Sequence, residues 1–451
     1  MDIRIKYGRT HISFNVPESA IAAVVRPRCP AAHPDPDPYL SRTLGPRLEP
    51  ARADFTARDV LVLMADATRD QPHRAAYAAV APLLTQARSV RVILATGTHK
   101  PNVADDWRIL NQVRQVSADR RIPIAALTTH DCRKSPCFIA GTTPFGNEIR
   151  LHSFVESAQA ILILSDTRPH YFAGYSNAIK FLLPGVASFE SIERNHAFAL
   201  DPDAATCRHP LHPDPARRRN PVAEDQLQAA RLVTARVPVY ALVTVSMGPD
   251  VAWATFGPLE DVVTEGIRFV DEHLVETVVE KHRRLVIGCG GYPADETLYT
   301  AQRALEHTKE AVADGAEILW LAECRNGVAS SDTAVRNFFT PLRQNTEAYV
   351  RQVRRKYVMF AHKTVKLVEL LDRLRTLRVF SGLPAGTLPV GRMVACADPQ
   401  ALVADWVRRG ERIAFIEDAG KLAVQFRESR PQEGTPLVNG GKDSPPARLT
   451  G

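Results

Sequence analysis

The chain has 451 residues, 45% of them hydrophobic, which is enough to bury a large core and to form two or more domains. Its formal net charge of +7 comes from basic residues that mostly alternate with acidic ones, and only Arg217–Arg219 form a tight basic cluster. Because no aromatic residues accompany that cluster, we interpret it as a solvated loop and expect no nucleic-acid partner. A basic balance also suits small anionic substrates.

The cysteines and the hydropathy pattern indicate in which cellular compartment the protein is expected. The seven cysteines are scattered and odd in number, so we expect no disulfide framework and a cytoplasmic location. Cys132 and Cys137 lack partners at zinc-ligand spacing, which disfavours a structural metal there. No targeting segment and no apolar run of membrane-spanning length is apparent, so we expect no membrane partner.

The predicted elements begin with a hairpin and a loop and continue as an alternation of strands and helices. The hairpin is predicted at 2–6 and 10–15, and the loop at 27–38, where prolines and aspartates are frequent. Strands follow at 59–64, 90–95, 123–128 and 160–164, with helices near 73–86, 104–117 and 188–199. This alternation indicates a parallel sheet with helices on both faces.

The second half of the chain shows a similar pattern after a proline-rich stretch at 201–221, which we interpret as a long surface loop. A helix near 223–234, a strand near 237–246 and a helix at 259–273 lead to a second set of elements. These are strands at 284–287, 317–321, 392–396 and 412–416 and helices near 295–313, 332–375 and 400–408. We therefore predict an α/β fold of two domains with largely parallel sheets, at 1–270 and 275–425, and a disordered tail at 428–451.

The segment 166–196 is the most informative part of the chain. It follows the apolar run Ala160–Leu164, which is typical of a buried parallel strand, and open α/β sheets bind ligands beyond the carboxyl ends of such strands. Within this segment, Lys180 stands between Ile179 and Phe181. Desolvation there would lower the pKa of the amine and make its neutral form available for a covalent bond.

Two more loops with reactive side chains follow predicted strands. Asp66-Ala-Thr-Arg69 comes after the strand at 59–64, and Ala95-Thr-Gly-Thr-His99-Lys-Pro101 comes after the strand at 90–95. Arg69 can bond a carboxylate in two-pronged fashion, and the loops offer hydroxyl and backbone N–H groups to a nucleotide. Purely structural roles are the alternatives: Arg69 could form an ion pair, and His99 could form a hydrogen bond at the start of a helix.

The order and spacing of these motifs resemble those of the nickel-dependent lactate racemase family. His170 precedes Lys180 by ten residues and His196 follows it by sixteen, as in that family. The two loops are similar to its Asp-His-Thr-Arg-Pro and Ala-Thr-Gly-Thr-His-Arg-Pro motifs. The resemblance extends from about residue 55 to about residue 420, and it implies an active site in a cleft between two α/β domains.

The resemblance also implies a cofactor and a reaction. The cofactor is a nickel-pincer nucleotide, pyridinium-3-thioamide-5-thiocarboxylic acid mononucleotide with nickel. The implied activity is that of an isomerase, a racemase or epimerase of a 2-hydroxy acid: the ring takes hydride reversibly from the substrate while two histidines act as acid and base at its hydroxyl. Partners would be that small substrate and the enzymes that synthesise the cofactor. The implied roles are catalysis by His99 and His170, nickel ligation by His196, covalent attachment at Lys180, cofactor contacts from Asp66, Thr68, Thr96, Thr98 and Gly174, and substrate contacts from Arg69 and Tyr292.

The chain departs from the family pattern at several positions. Asn177-Ala178 replace a pair of glycines before the lysine, and Ala67 and Asp70 replace a histidine and a proline. Ala294 replaces a lysine that helps to hold lactate, so the substrate is expected to be a lactate-like or larger 2-hydroxy acid, or one that is differently charged. Two alternatives remain open, a nicotinamide-dependent oxidoreductase and a non-catalytic binding relative. Against the first, no Gly-x-Gly-x-x-Gly follows a strand.

Overall fold

The computed structural model describes residues 1–69, 71–99, 103–248, 250–389, 391 and 393–428. The strands are β1 (Asp2–Tyr7), β2 (Thr10–Asn15), β3 (Ile21–Val25), β4 (Asp59–Ala65), β5 (Ser89–Ala95), β6 (Ile124–Thr129), β7 (Cys137–Thr142), β8 (Glu148–His152), β9 (Ala160–Asp166), β10 (Arg168–His170), β11 (Gly174–Ser176), β12 (Val239–Met247), β13 (Asp250–Pro258), β14 (Val275–Val278), β15 (His282–Gly288), β16 (Val312–Leu321), β17 (Thr376–Phe380), β18 (Met393–Ala395), β19 (Ile413–Ile416) and β20 (Ala423–Phe426).

The α-helices are α1 (Pro36–Leu48), α2 (Arg52–Phe55), α3 (His73–Leu84), α4 (Val103–Arg120), α5 (Ser153–Glu156), α6 (Phe189–Ala197), α7 (Pro221–Thr234), α8 (Leu259–Leu274), α9 (Leu298–Thr308), α10 (Asp332–Ala334), α11 (Thr340–Leu342), α12 (Thr346–Arg355), α13 (Ala361–Arg373) and α14 (Pro399–Arg408). Asp70, Lys100, Pro101 and the tail from residue 429 lie outside the described residues. In the described ranges, none of the helices has both the length and the apolar character needed to cross a bilayer.

The first sheet has the order β13-β12-β9-β4-β5-β6. Its neighbours are parallel except at the edge, where β13 pairs antiparallel with β12. The central strands β4 and β9 are buried along nearly their whole length, because helices cover both faces of the sheet. This confirms the predicted α/β class and the strands predicted at 59–64 and 160–164. The edge strand β13 was not predicted from the sequence.

The second sheet has the order β18-β17-β16-β15-β19-β3 and is parallel throughout. Residues 1–25 belong with this sheet, although the sequence placed them in the first domain. β3 pairs with β19, and Ile3 and Ile5 of the predicted hairpin pack against Val286 and Leu319. The division at 1–270 and 275–425 therefore needs this correction, because the hairpin can bury its apolar face only on the second sheet.

The stretch 201–221 is not the surface loop that the sequence predicted. Its Cys207, His209 and His212 side chains are buried. Asp271 of α8 explains the burial, because its carboxylate bonds both Arg217, at 2.7 Å, and His212 Nε2, at 2.7 Å. Arg217 is therefore part of an internal network and not of a solvated basic cluster. The stretch packs beneath the residues that follow β9.

Candidate active site

The loops after β4 and β5 meet at the carboxyl edge of the first sheet. Asp66 Oδ2 lies 2.7 Å from His99 Nδ1, and its Oδ1 accepts hydrogen bonds from the Thr68 backbone N–H at 3.1 Å and hydroxyl at 2.6 Å. Burial raises the pKa of Asp66, but the electrostatic interaction with His99 and the hydrogen bonds from His99 and Thr68 outweigh it and lower the pKa to about 2. The carboxylate thus holds His99 through Nδ1, and Nε2 is the nitrogen available to a ligand.

The two loop threonines have different surroundings. Thr96 is buried and its hydroxyl donates to the His130 carbonyl at 2.7 Å, so in this structure it fastens the loop. Thr98 is half-buried. Gly97 has a positive φ of 57° and donates its N–H to the Gly185 carbonyl at 2.9 Å. The His99 loop is thereby tied to the segment that carries Lys180.

Position 174 requires a glycine for a structural reason that the sequence did not reveal. It turns the chain between β10 and β11 with a φ of 73°, and a Cβ there would lie 1.8 Å from the carbonyl oxygen of Arg208. The close approach of the 201–221 stretch thus requires a glycine at this position. Its predicted contact with a cofactor stays a prediction.

Lys180 lies in a buried 3₁₀ helix, Ala178–Phe181. Asn177 caps this helix, because its side-chain oxygen accepts the Ile179 N–H at 2.9 Å. The lysine side chain is only 8% exposed, and no carboxylate of the described residues forms an ion pair with it. Burial, followed by the positive charge of Arg69, holds the pKa of the amine well below its usual range.

Phe172 joins the three residues that the sequence singled out around this lysine. Its ring centroid lies 5.9 Å from Lys180 Nζ, 4.7 Å from the His170 ring and 5.1 Å from the His196 ring. The structure therefore brings His170, Lys180 and His196 together around one aromatic side chain.

Both histidines at Phe172 are held in the neutral form. Burial and the charge of Lys180 lower the pKa of His196 to about 3, and the same two causes lower the pKa of His170 well below its usual value. His170 Nδ1 accepts the Ala173 N–H at 3.2 Å. His196 Nδ1 is buried and has no partner of good hydrogen-bond geometry among the described residues. A neutral imidazole is the form that binds a metal.

The positive charges of three arginines, Arg69, Arg168 and Arg303, act on the lysine. Arg69 and Arg303 form no ion pair within the part of the chain that the structure describes, whereas Arg168 lies 3.3 Å from Asp166. Burial, followed by the charges of Arg168 and Arg69, lowers the pKa of Arg303 to about 10. Such a concentration of positive charge suits a bound anion.

Arg303 and His362 were missed by sequence reasoning. Arg303 lies on α9 and His362 on α13, and both helices pack against the residues that follow β9. Neither position belongs to a local motif, so only the chain fold could reveal it. Tyr292, by contrast, is 42% exposed and stacks under Arg9 of the β1–β2 turn, with the Arg9 guanidinium carbon 4.8 Å from the ring centroid.

The described side chains do not form a metal site by themselves. Within the described ranges, no three His, Cys, Asp or Glu side chains are grouped as a metal would require. Each of the seven cysteines is a free thiol. A metal at His196 would therefore need its other ligands from a bound cofactor.

Comparisons with known proteins identify proteins of similar sequence. The family model described as the lactate racemase N-terminal domain matches residues 7–207. The lactate racemase of Thermoanaerobacterium thermosaccharolyticum is 25% identical over 342 residues, which are 72% of this chain and 75% of that protein. The lactate racemase of Lactiplantibacillus plantarum is 24% identical over 277 residues, which are 60% of this chain and 61% of that protein.

Solved structures show the same fold. The lactate racemase apoprotein from Thermoanaerobacterium thermosaccharolyticum superposes with a TM-score of 0.77 at 20% identity, covering 94% of this chain and 100% of that chain. A protein from Thermotoga maritima superposes with a TM-score of 0.63 at 14% identity, covering 89% of this chain and 100% of that chain. Residues 7–207 thus match a lactate racemase N-terminal domain, and the two sequence relatives and the shared fold confirm the predicted resemblance to the lactate racemase family.

Proposed function

We propose that this protein is a racemase or epimerase of a 2-hydroxy acid that works with a nickel-pincer nucleotide. The observation that carries the proposal is the grouping of His170, Lys180 and His196 around Phe172, on the sheet edge that also holds the Asp66–His99 pair. Binding alone would need neither a neutral buried amine nor two separately held imidazoles. The similarity to lactate racemases does not favour a nicotinamide-dependent oxidoreductase.

The residues present fit the proposed cofactor. Lys180 offers a buried amine held in its nucleophilic, neutral form, and His196 offers a neutral imidazole beside it. Arg168, whose charge acts on Lys180, is a candidate partner for the nucleotide phosphate. When bound, the group supplies a ring that accepts hydride from substrate C2 and returns it to either face. The enzymes that synthesise this cofactor are the partners that the proposal requires.

The chain's own part is proton transfer at the substrate hydroxyl. Because Asp66 holds His99 through Nδ1–H, Nε2 carries a lone pair and can accept the hydroxyl proton. His170 accepts the Ala173 N–H at Nδ1, so its Nε2–H points the opposite way and can donate a hydrogen bond to the substrate oxygen. We infer that the two imidazoles start the cycle in complementary roles.

His170 must also be able to carry a full proton, although the apoprotein lowers its pKa. Two of the charges that lower it are Lys180 and Arg69. Covalent attachment keeps Lys180 uncharged, and a bound carboxylate offsets the charge of Arg69. Loading the site therefore moves the pKa of His170 upward, toward the range in which histidine exchanges protons.

Arg69 and Arg303 are the proposed partners of the substrate carboxylate. Arg303 takes over from the missing lysine at position 294, because it brings a positive charge from the second half of the molecule to the same cluster. The planar guanidinium also offers more hydrogen-bond donors than an ammonium and can bond both oxygens of a carboxylate. This replacement agrees with a hydroxy acid larger than lactate.

The proposal is tested by making the protein together with the cofactor-synthesis enzymes and measuring racemisation of a panel of 2-hydroxy acids by chiral chromatography. The panel includes lactate, longer aliphatic and aromatic hydroxy acids, and hydroxy acids with a second carboxylate. We expect loss of optical activity with at least one of them and none with apoprotein. Fully loaded protein that racemises no 2-hydroxy acid of the panel would contradict the proposal.

Replacing Arg303 with methionine is expected to raise KM for the best substrate more than it lowers kcat. A hydrogen bond to a charged group contributes about 1.5–3 kcal/mol, so kcat/KM should fall by roughly 10- to 100-fold. Arg303→Lys should recover part of the loss. Arg354→Met is the control, because Arg354 pairs with Glu369 on the surface. An Arg303→Met enzyme with unchanged KM would exclude the assigned role.

A further inference from the structure

A chain of hydrogen bonds crosses from the second half of the molecule to the active site. His362, near the start of α13, is 1% exposed and both of its ring nitrogens are used. Nε2 lies 2.9 Å from the Tyr171 hydroxyl, and Nδ1 lies 2.7 Å from the Tyr357 hydroxyl. Tyr171 directly follows His170. The imidazole thus joins a segment of the second half to the residue beside a proposed proton-transfer group.

The same imidazole also lies against the other rings of the site. Its centroid is 4.9 Å from that of Phe172 and 6.0 Å from that of His196. Phe172 is the residue around which His170, Lys180 and His196 meet. His362 therefore contacts both side chains that follow His170 in sequence.

The orientation of the His170 ring depends on those two neighbours. It stacks on Tyr171 with centroids 5.2 Å apart and an interplanar angle of 18°, and meets Phe172 edge-on at 4.7 Å. Its one hydrogen bond to the protein in the described residues is the 3.2 Å bond from the Ala173 N–H. A single long bond fixes a ring poorly, so the stacked side chains determine where Nε2 points.

The backbone before His362 is arranged for this contact. Phe360 has a φ of 74°, a left-handed conformation that bulky residues rarely adopt. It reverses the chain between Tyr357 and His362, which brings the Tyr357 hydroxyl onto Nδ1. Unfavourable conformations of this kind persist where the surroundings require them, commonly at functional sites.

We propose that His362 is a positioning residue, which holds the 170–172 segment and so sets the orientation of His170. His99 has no such dependence, because Asp66 of the first sheet holds it. One proton-transfer group is thus built within the first half, and the other is completed by the second half. The inference rests on the proposed function for its kinetic consequence, whereas its structural part can be tested on the apoprotein.

Three variants separate positioning from general stability. His362→Phe keeps an aromatic ring and removes both hydrogen bonds. Tyr171→Phe removes only the bond between Tyr171 and His362 and should fold normally. Lys366→Met is the matched control: Lys366 lies one turn further along α13 and donates to the Ala204 carbonyl at 3.0 Å. It therefore also links the two halves, but among the described residues it forms no hydrogen bond with residues 170–172.

The first measurement is amide hydrogen exchange of the apoproteins. We expect faster exchange over 168–176 in His362→Phe and, to a smaller extent, in Tyr171→Phe, with no change over 96–99. Lys366→Met should leave 168–176 unchanged. The second measurement is kcat and KM of the cofactor-loaded enzymes, because a displacement of about 1 Å can cost on the order of 100-fold. We expect kcat to fall by roughly 10- to 100-fold in His362→Phe with little change in KM.

The two measurements test the proposed function and the positioning role separately. If the wild-type enzyme racemises nothing, the proposed function is wrong, but the exchange experiment still decides whether His362 holds residues 170–172. If 168–176 exchanges alike in Lys366→Met and His362→Phe, or if Tyr171→Phe matches the wild type in exchange and kcat, the positioning role is overturned. Should His362→Phe not fold, Tyr171→Phe alone decides the outcome.

Discussion

Replacing Lys180 with methionine is expected to abolish racemisation and, at the same time, to stabilise the apoprotein. The amine is buried without an ion-pair partner among the described residues, and the charge of Arg69 opposes its protonation. The unfolded lysine binds a proton more readily than the folded one, so this group makes folding less favourable at pH values where the unfolded lysine is charged. Methionine keeps the apolar contacts and removes the cost, by about 1 kcal/mol on the scale typical of single stabilising substitutions.

The pH dependence of the free energy of unfolding shows the direction in which Lys180 changes stability. Because the pKa of Lys180 is lower in the folded state, the unfolded state binds more protons between the folded and the unfolded pKa, and stability rises with pH across that window. Lys180→Met should therefore flatten the rise in the free energy of unfolding between neutral pH and about pH 10, where lysine normally titrates. Denaturant titrations of both apoproteins at several pH values measure this.

A second lysine serves as the control, because its replacement should change the stability of the protein in the opposite direction. Lys309 lies 3.1 Å from the buried Glu306 carboxylate, whose charge raises the pKa of the amine. Lys309→Met should therefore destabilise the protein. Intact-mass spectrometry and nickel analysis of loaded samples should show an adduct in Lys309→Met and none in Lys180→Met. An adduct that survives in Lys180→Met would show that the cofactor is attached elsewhere.

The sequence predicted the first sheet and its ligand-binding edge because that information is local. Long aliphatic runs define β4, β5 and β9, and parallel strands place their carboxyl ends together, so the loops of Asp66, His99 and His170 had to meet. The resemblance of one segment to the lactate racemase family likewise implied that His170, Lys180 and His196 act together. These predictions needed no knowledge of the rest of the fold.

The features that were missed depend on contacts between distant parts of the chain. Residues 1–25 join the second sheet through a pairing with β19, which no local pattern announces. Arg303 and His362 are isolated polar residues in helices, and such residues are usually solvated. Asp66 was interpreted as a cofactor contact, whereas its bond to His99 joins loops at the ends of two different strands. The sequence showed which residues could react, but not which residues hold them.

Substituting either His99 or His170 with glutamine is expected to lower kcat/KM for both enantiomers of a substrate by the same factor. Enantiomers have equal free energies, so the two values of kcat/KM must stay equal in any variant that catalyses the reaction. Loss of one general acid or base costs roughly 10²- to 10⁴-fold. Because the two histidines act in one cycle, the double variant should lose much less than the product of the two factors.

The two histidines differ in which enantiomer each one deprotonates, and single-turnover experiments reveal this. Loaded enzyme is mixed with one pure enantiomer, and the 2-oxo acid formed is trapped with a hydrazine. His99→Gln should lose 2-oxo acid formation from one enantiomer and His170→Gln from the other, because His99 is held by Asp66 and His170 by its aromatic neighbours at separate positions. His282→Gln, in β15 of the second sheet, is the control and should retain both. Loss with the same enantiomer in both variants would contradict the assignment of one histidine to each face.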